Sequence, residues 1–148
     1  MSLEDLFAGQ LDIEAVLARL SRIATELGLP FGARTHTYNS RNAQELGKWA
    51  DEKGEGEAFH QAVYRAYFVD GDNIAQPEVL AAIAGQLGLD SGEALQILSD
   101  HRYAAAVNAD WQRAAELGVT AVPTIVFADK QLVGFQPYES FRALILNG

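Results

Sequence analysis

The chain has 148 residues, with 20 Asp and Glu against 11 Lys and Arg, three His, no Cys and a formal charge of −9. A chain this acidic has no clustered Lys and Arg with which to displace counterions from a phosphate backbone, so nucleic acid is excluded as a partner. The missing cysteines exclude a disulfide, a thiolate nucleophile or a thiolate metal site made from these residues.

The length suits a single domain, able to bury about 68–70% of its unfolded surface without covalent staples. No apolar run approaches the ~20 residues of a membrane span. Met1–Asp5 carries neither the basic flank nor the apolar stretch of a secretory signal. A soluble, cytoplasmic protein is expected.

In chain order, Asp12 is placed to cap a helix whose apolar residues Ile13, Val16, Leu17, Leu20, Ile23, Ala24 and Leu27 recur at helical spacing, closed by Gly28 and Pro30. Arg34–Tyr38 reads as extended. Ser40 is the candidate cap of a second helix through about Lys53, ended by Gly54 and Gly56. Phe59, Ala62, Val63, Ala66 and Tyr67 form a clean stripe on a third, before the turn residues Asp70–Asn73. Pro77 suits the first turn of a fourth, carrying Val79, Leu80, Ile83, Ala84 and Leu87, with Gly88 as its stop. Asp90 with Glu93 makes a capping-box pattern for a short fifth helix through about Leu98. A sixth runs from about Tyr103 to Leu117, with Val107, Trp111, Ala114 and Leu117 inward.

After Gly118 the period changes. Thr124–Phe127 and Gln131–Phe135 read as strands joined by Ala128-Asp129-Lys130, a β-hairpin. Pro137 opens a last helix whose Tyr138, Phe141, Leu144 and Ile145 can lie back on it. Ile125-Val126-Phe127 is continuously apolar, as in a strand buried on both faces. An isolated hairpin is marginal in water, so something must complete the sheet.

The run "ELGVTAVPTIVF", the hairpin "VFADKQLVGFQPY" and the closing "YESFRALI" together resemble the C-terminal β-β-α half of the DsbA-like thioredoxin superfamily. Upstream, "TYNSRNAQELGKWA", "AVYRAYFVDGDNI" and "LAAIAGQLGLD" resemble the helical insertion of its branch of FrnE-like disulfide oxidoreductases and 2-hydroxychromene-2-carboxylate isomerases. The fold class implied is α/β: an incomplete thioredoxin-like fold, mostly helical, with residues 6–117 as the insertion region and 118–148 as the β-β-α half of one domain.

The resemblance implies that Val122–Pro123 is cis, and that Thr120, Ala121, Val122 and Pro123 face substrate. A proline there removes an amide donor and leaves the backbone of Val122 as a pairing edge for an extended peptide. In the family that edge faces a Cys-x-x-Cys pair at a helix N-terminus, which lowers the thiol pKa. Here the resemblance starts after that unit, and neither the dithiol nor the serine of the isomerases is present. The expectation is a truncated or degenerate thiol-disulfide oxidoreductase without redox activity of its own. The alternatives are a non-catalytic peptide-binding or structural subunit, and a glutathione-dependent isomerase-like protein.

No cofactor or metal is called for. The three histidines are far apart in sequence, and "DGDN" at Asp70–Asn73 lacks the glycine and glutamate that a calcium loop needs six and twelve positions along. Trp49, Tyr64, Tyr67, Phe68 and Trp111 either line an apolar groove or pack the core, core being favoured most for Trp111. The acidic Glu52, Glu55 and Glu57 suit a solvated helix end. The hairpin edge at Thr124 requires cover, for which a homodimer is the simplest device.

Overall fold

Aspartate caps set two of the helix starts. In the computed structural model, which describes residues 1–7, 9 and 11–146, Asp12 Oδ1 accepts from Ala15 N at 3.0 Å and Asp90 Oδ1 from Glu93 N at 2.9 Å. Each satisfies one of the orphan donors at a helix N-terminus. The elements are α1 (Leu3–Phe7), α2 (Ile13–Glu26), α3 (Arg41–Glu52), α4 (Gly56–Arg65), α5 (Pro77–Gln86), α6 (Ser91–Asp100), α7 (Ala104–Glu116), β1 (Thr124–Phe127), β2 (Lys130–Val133) and α8 (Tyr138–Leu146). Ser40 occupies the position before α3 but makes no capping bond; Arg41 N takes Asn39 Oδ1 instead, at 2.8 Å.

Backbone contacts divide the chain into two compact units, Met1–Val107 and Asn108–Gly148. The last two residues of the expected domain, Asn147 and Gly148, lie outside the described residues.

The first unit holds the core. Leu46, Trp49 and Ala50 of α3, Phe59 and Val63 of α4, Leu80, Ala81 and Ala84 of α5, and Ala94, Ile97 and Leu98 of α6 form one buried cluster. Complete burial of side chains such as Phe59, Leu46, Leu80 and Ile97 stabilises the fold by about 1.5–3 kcal/mol each. Small residues let the helices approach, and Ser91 Oγ donates to Ala81 O at 2.8 Å, tying α6 to α5.

The stripe of α4 continues into a π-helical turn, Ala66–Asp70, closed by Gly71 at φ 77°. The wider turn sets Tyr67 and Phe68 edge to face, with ring centroids 4.8 Å apart. The "DGDN" stretch is a turn in which Asp72 N reaches Ala66 O and Ala75 N reaches Asn73 Oδ1. The extended Arg34–Tyr38 segment meets the chain start: Ser2 and His36 form an antiparallel bridge, and Leu3 N donates to Thr35 O at 2.9 Å.

The second unit holds the expected hairpin and closing helix, but not the expected burial. β1 and β2 pair antiparallel, with Thr124 opposite Val133 and Phe127 opposite Lys130, as a two-stranded sheet. The turn is Ala128-Asp129 alone, and β2 stops at Val133 because Gly134, at φ 80°, bends the chain before Phe135. β1 is not buried on both faces: Thr124 and Val126 are half-buried, while Ile125 and Phe127 are exposed. On α7 only Val107 of the expected inward stripe is buried; Trp111 is 53% exposed and Leu117 is exposed too. On α8, Phe141 and Leu144 are half-buried, whereas Tyr138 and Ile145 are exposed. The physical reason is common to all of these: between Asn108 and Leu146 no described residue reaches full burial, because a two-stranded ribbon and two helix faces cannot enclose a core.

Candidate functional site

The candidate site grows out of the end of α7. Gly118, at φ 70°, adopts the left-handed geometry that stops a helix, while Val119 N and Gly118 N cap the last turn through Ala114 O and Ala115 O. Gln131 Nε2 donates to Leu117 O, so β2 holds the exit of the helix. The chain then passes through Thr120, Ala121, Val122 and Pro123, all exposed, and the Val122–Pro123 peptide is cis.

Two bonds fix this loop against the hairpin. Thr124 Oγ1 donates to Ala121 O at 2.7 Å, and Gly134 N donates to Pro123 O at 2.8 Å. Val122 is different. Its side chain is 90% exposed, and neither its N–H nor its C=O has a partner among the described residues. Through Pro123 it leads into β1, whose second edge is unpaired among the described residues. No titratable group lies in Thr120–Pro123, so what the segment offers is main-chain pairing and apolar contact.

The other singled-out residues do not gather here. Trp49 is 1% exposed in the core of the first unit. Tyr64 and Phe68 line a cleft of about 670 Å³ with Leu29, Pro30 and Leu87. Tyr67 faces Arg34, and Trp111 stands exposed on α7. An aromatic groove of all five does not form.

Sequence reasoning missed a buried carboxylate. Glu45 on α3 is wholly buried, with Arg41 Nε 3.3 Å and His101 Nδ1 3.4 Å from Oε1, while Oε2 has no hydrogen-bond partner among the described residues. Arg41 Nη2 also donates to Ala104 O at 2.9 Å, so the pair ties α3 to the start of α7. Only the i, i+4 spacing of Arg41 and Glu45 was visible beforehand. His101 arrives from 56 positions away, at φ 48°, as the C-cap of α6. Among the described residues no group of three or more His, Asp or Glu side chains converges as metal ligands would.

Residues 7–146, which hold the helical region, the cis Val–Pro loop and the hairpin with its closing helix, match the sequence profile of the DSBA-like thioredoxin domain. The chain belongs to that family. A probable DsbA oxidoreductase of Streptomyces coelicolor is similar to this DSBA-like chain at 29% identity and a TM-score of 0.83, over 99% of this chain and 67% of that structure. A 2-hydroxychromene-2-carboxylate isomerase shares the fold, with a TM-score of 0.74 at 21% identity over 91% of this chain and 64% of that one. The uncharacterized protein YwbO of Bacillus subtilis is 27% identical over 130 residues, 84% of this chain; the DSBA-like chain spans 62% of that relative's length. No described helix is long and apolar enough to cross a membrane.

Proposed function

We propose that this DSBA-like chain acts in thiol-disulfide exchange as its peptide-holding part: Thr120–Pro123 and the free edge of β1 receive an extended polypeptide. The observation that carries the reading is Val122, exposed at 90%, with neither backbone group partnered among the described residues, two positions before β1 begins. Family membership and the likeness to a probable DsbA oxidoreductase support the reaction class. The 148 residues contain no cysteine, so any thiolate that attacks a bound substrate comes from outside them. Taken alone, the chain binds but does not exchange.

Isotope-edited NMR with an extended, apolar, disulfide-containing peptide tests this. Amide shifts confined to residues 120–127, with no peptide reduction by the chain in a dithiol buffer beyond the buffer's own rate, are the expected result. Shifts elsewhere, or catalytic reduction by this chain alone, would overturn it.

A second copy is the alternative occupant of the same edge. It is favoured by the exposure of Trp111, Ile125, Val133, Phe135 and Tyr138 in one small unit. Sedimentation velocity across a concentration series distinguishes the two, since a peptide-binding monomer holds one mass throughout. A cytoplasmic location belongs to the same proposal; one fold neighbour, a disulfide reductase of Pseudomonas aeruginosa, is itself cytosolic.

A further inference from the structure

In the first unit, the start of α1, the first half of α2 and the extended Phe31–His36 segment line a cleft of about 800 Å³. That is within the ~300–1,000 Å³ of small-molecule sites. Apolar residues of all three segments build its wall: Leu3 is buried, and Ile13, Leu17 and Phe31 are half-buried. Ile13 and Leu17 reach it together because residues four apart share one face of a helix.

Two carboxylic side chains line the same cleft, Glu4 from the first turn of α1 and Glu14 from the first turn of α2. Neither carboxylate has a hydrogen-bond or ion-pair partner among the described residues. A glutamate in a first helical turn is ordinary by itself. Two of them, from different helices beside one apolar cavity and with no cation against either, set the sign of the potential inside it. Arg34 is the basic residue of the lining, and its guanidinium is engaged elsewhere. Its Cζ sits 4.3 Å from the Tyr67 ring centroid and 4.8 Å from that of Phe68, Nη2 donates to the Tyr67 hydroxyl, and neither ring lines this cleft. His36, also of the lining, pairs Nδ1 with the Thr35 hydroxyl at 2.9 Å.

We propose that this cleft binds a small organic monocation, an ammonium with an aromatic or branched aliphatic body, the charged head toward Glu4 and Glu14 and the body against Leu17 and Phe31. Apolar walls concentrate the field of the two carboxylates, and an aromatic ring such as Phe31 attracts a cation where a neutral group of the same shape gains nothing. The same charges oppose an anion, and the chain's net charge of −9 adds to that opposition. Both glutamates are exposed, so each contributes the modest attraction of a solvent-screened pair. The site is independent of the Val122 edge and stands or falls without it.

The test titrates the full chain at low ionic strength with 2-phenylethylammonium, 2-phenylethanol and 3-phenylpropanoate, which share a body and differ in charge, following backbone amides by NMR. The ammonium is expected to shift α1, α2 and residues 31–36, and to bind about three- to tenfold more tightly than the alcohol, the ratio that two exposed carboxylates supply. The carboxylate should bind most weakly of the three. Raising salt to about 1 M should shrink the preference, because the charges are screened while the apolar contact is not. Glu4→Gln combined with Glu14→Gln should bring ammonium and alcohol to equal affinity and leave the alcohol's own affinity unchanged. Equal affinity for ammonium and alcohol in the unaltered chain would overturn the proposal, as would a preference that survives the double substitution, shifts centred outside the cleft, or binding of none of the three. The comparison among the ligands needs no variant, so it decides the matter even where a substitution impairs folding.

Discussion

Phe59→Ala probes where the stability of this chain resides. Phe59 is wholly buried on α4, within the cluster that α3, α4, α5 and α6 share. Truncating it removes a phenyl ring from a packed interior and leaves a cavity that fixed helices cannot collapse, for a cost of about 3–5 kcal/mol. That is a large share of the ~5–15 kcal/mol typical of a domain. At about 2–4 °C per kcal/mol for a chain near this size, the midpoint falls by roughly 6–20 °C.

Phe127→Ala removes the same atoms from β1, where the side chain is 39% exposed in a unit with no buried residue among those described. Its expected cost is about 1 kcal/mol or less. Urea unfolding followed by far-UV circular dichroism at low protein concentration reads both, the midpoint moving with little change in slope for Phe59→Ala. Equal losses from the two substitutions would refute the reasoning, because they would mean that the hairpin is covered as completely as the helical core.

Two glycines separate backbone crowding from side-chain crowding. A Cβ on Gly32 would lie 2.0 Å from the backbone oxygen of Val69, so Gly32→Ala should cost at least about 1–3 kcal/mol and displace Phe31–His36; a Cβ on Gly47 meets only the movable His60 ring, so Gly47→Ala should be neutral or stabilising by up to about 1 kcal/mol, both read by thermal melts. The Tyr103 hydroxyl is pushed up from 10.0 to about 12, first by burial and then by its hydrogen bond to the Glu52 carboxylate. The folded state therefore holds the proton more tightly than the unfolded one. Its contribution to stability is intact below pH 10 and is lost as pH rises from about 10 through 12. Tyr103→Phe should flatten that decline, and an unchanged alkaline slope would count against the contact.

The local elements were legible because their causes are local. Asp12 and Asp90 cap helices by reaching three residues along their own chain, Pro77 starts α5, and Gly118 ends α7, each needing nothing distant. The position of the Val-Pro loop between helix and hairpin was equally visible, since it is written in consecutive residues. The hidden features are those that join separated residues: His101 and Arg41 around Glu45, Arg34 stacked on Tyr67 and Phe68, and Gly32 pressed to Val69.

Periodicity also could not say which apolar stripe becomes core. Phe59 and Trp111 sit on equally plausible helical faces, yet one is wholly buried in the core cluster and the other meets solvent. Hydrophobic spacing decides which side of a helix is apolar. Whether that side is buried depends on a second surface arriving from elsewhere in the chain, and only the tertiary structure supplies it.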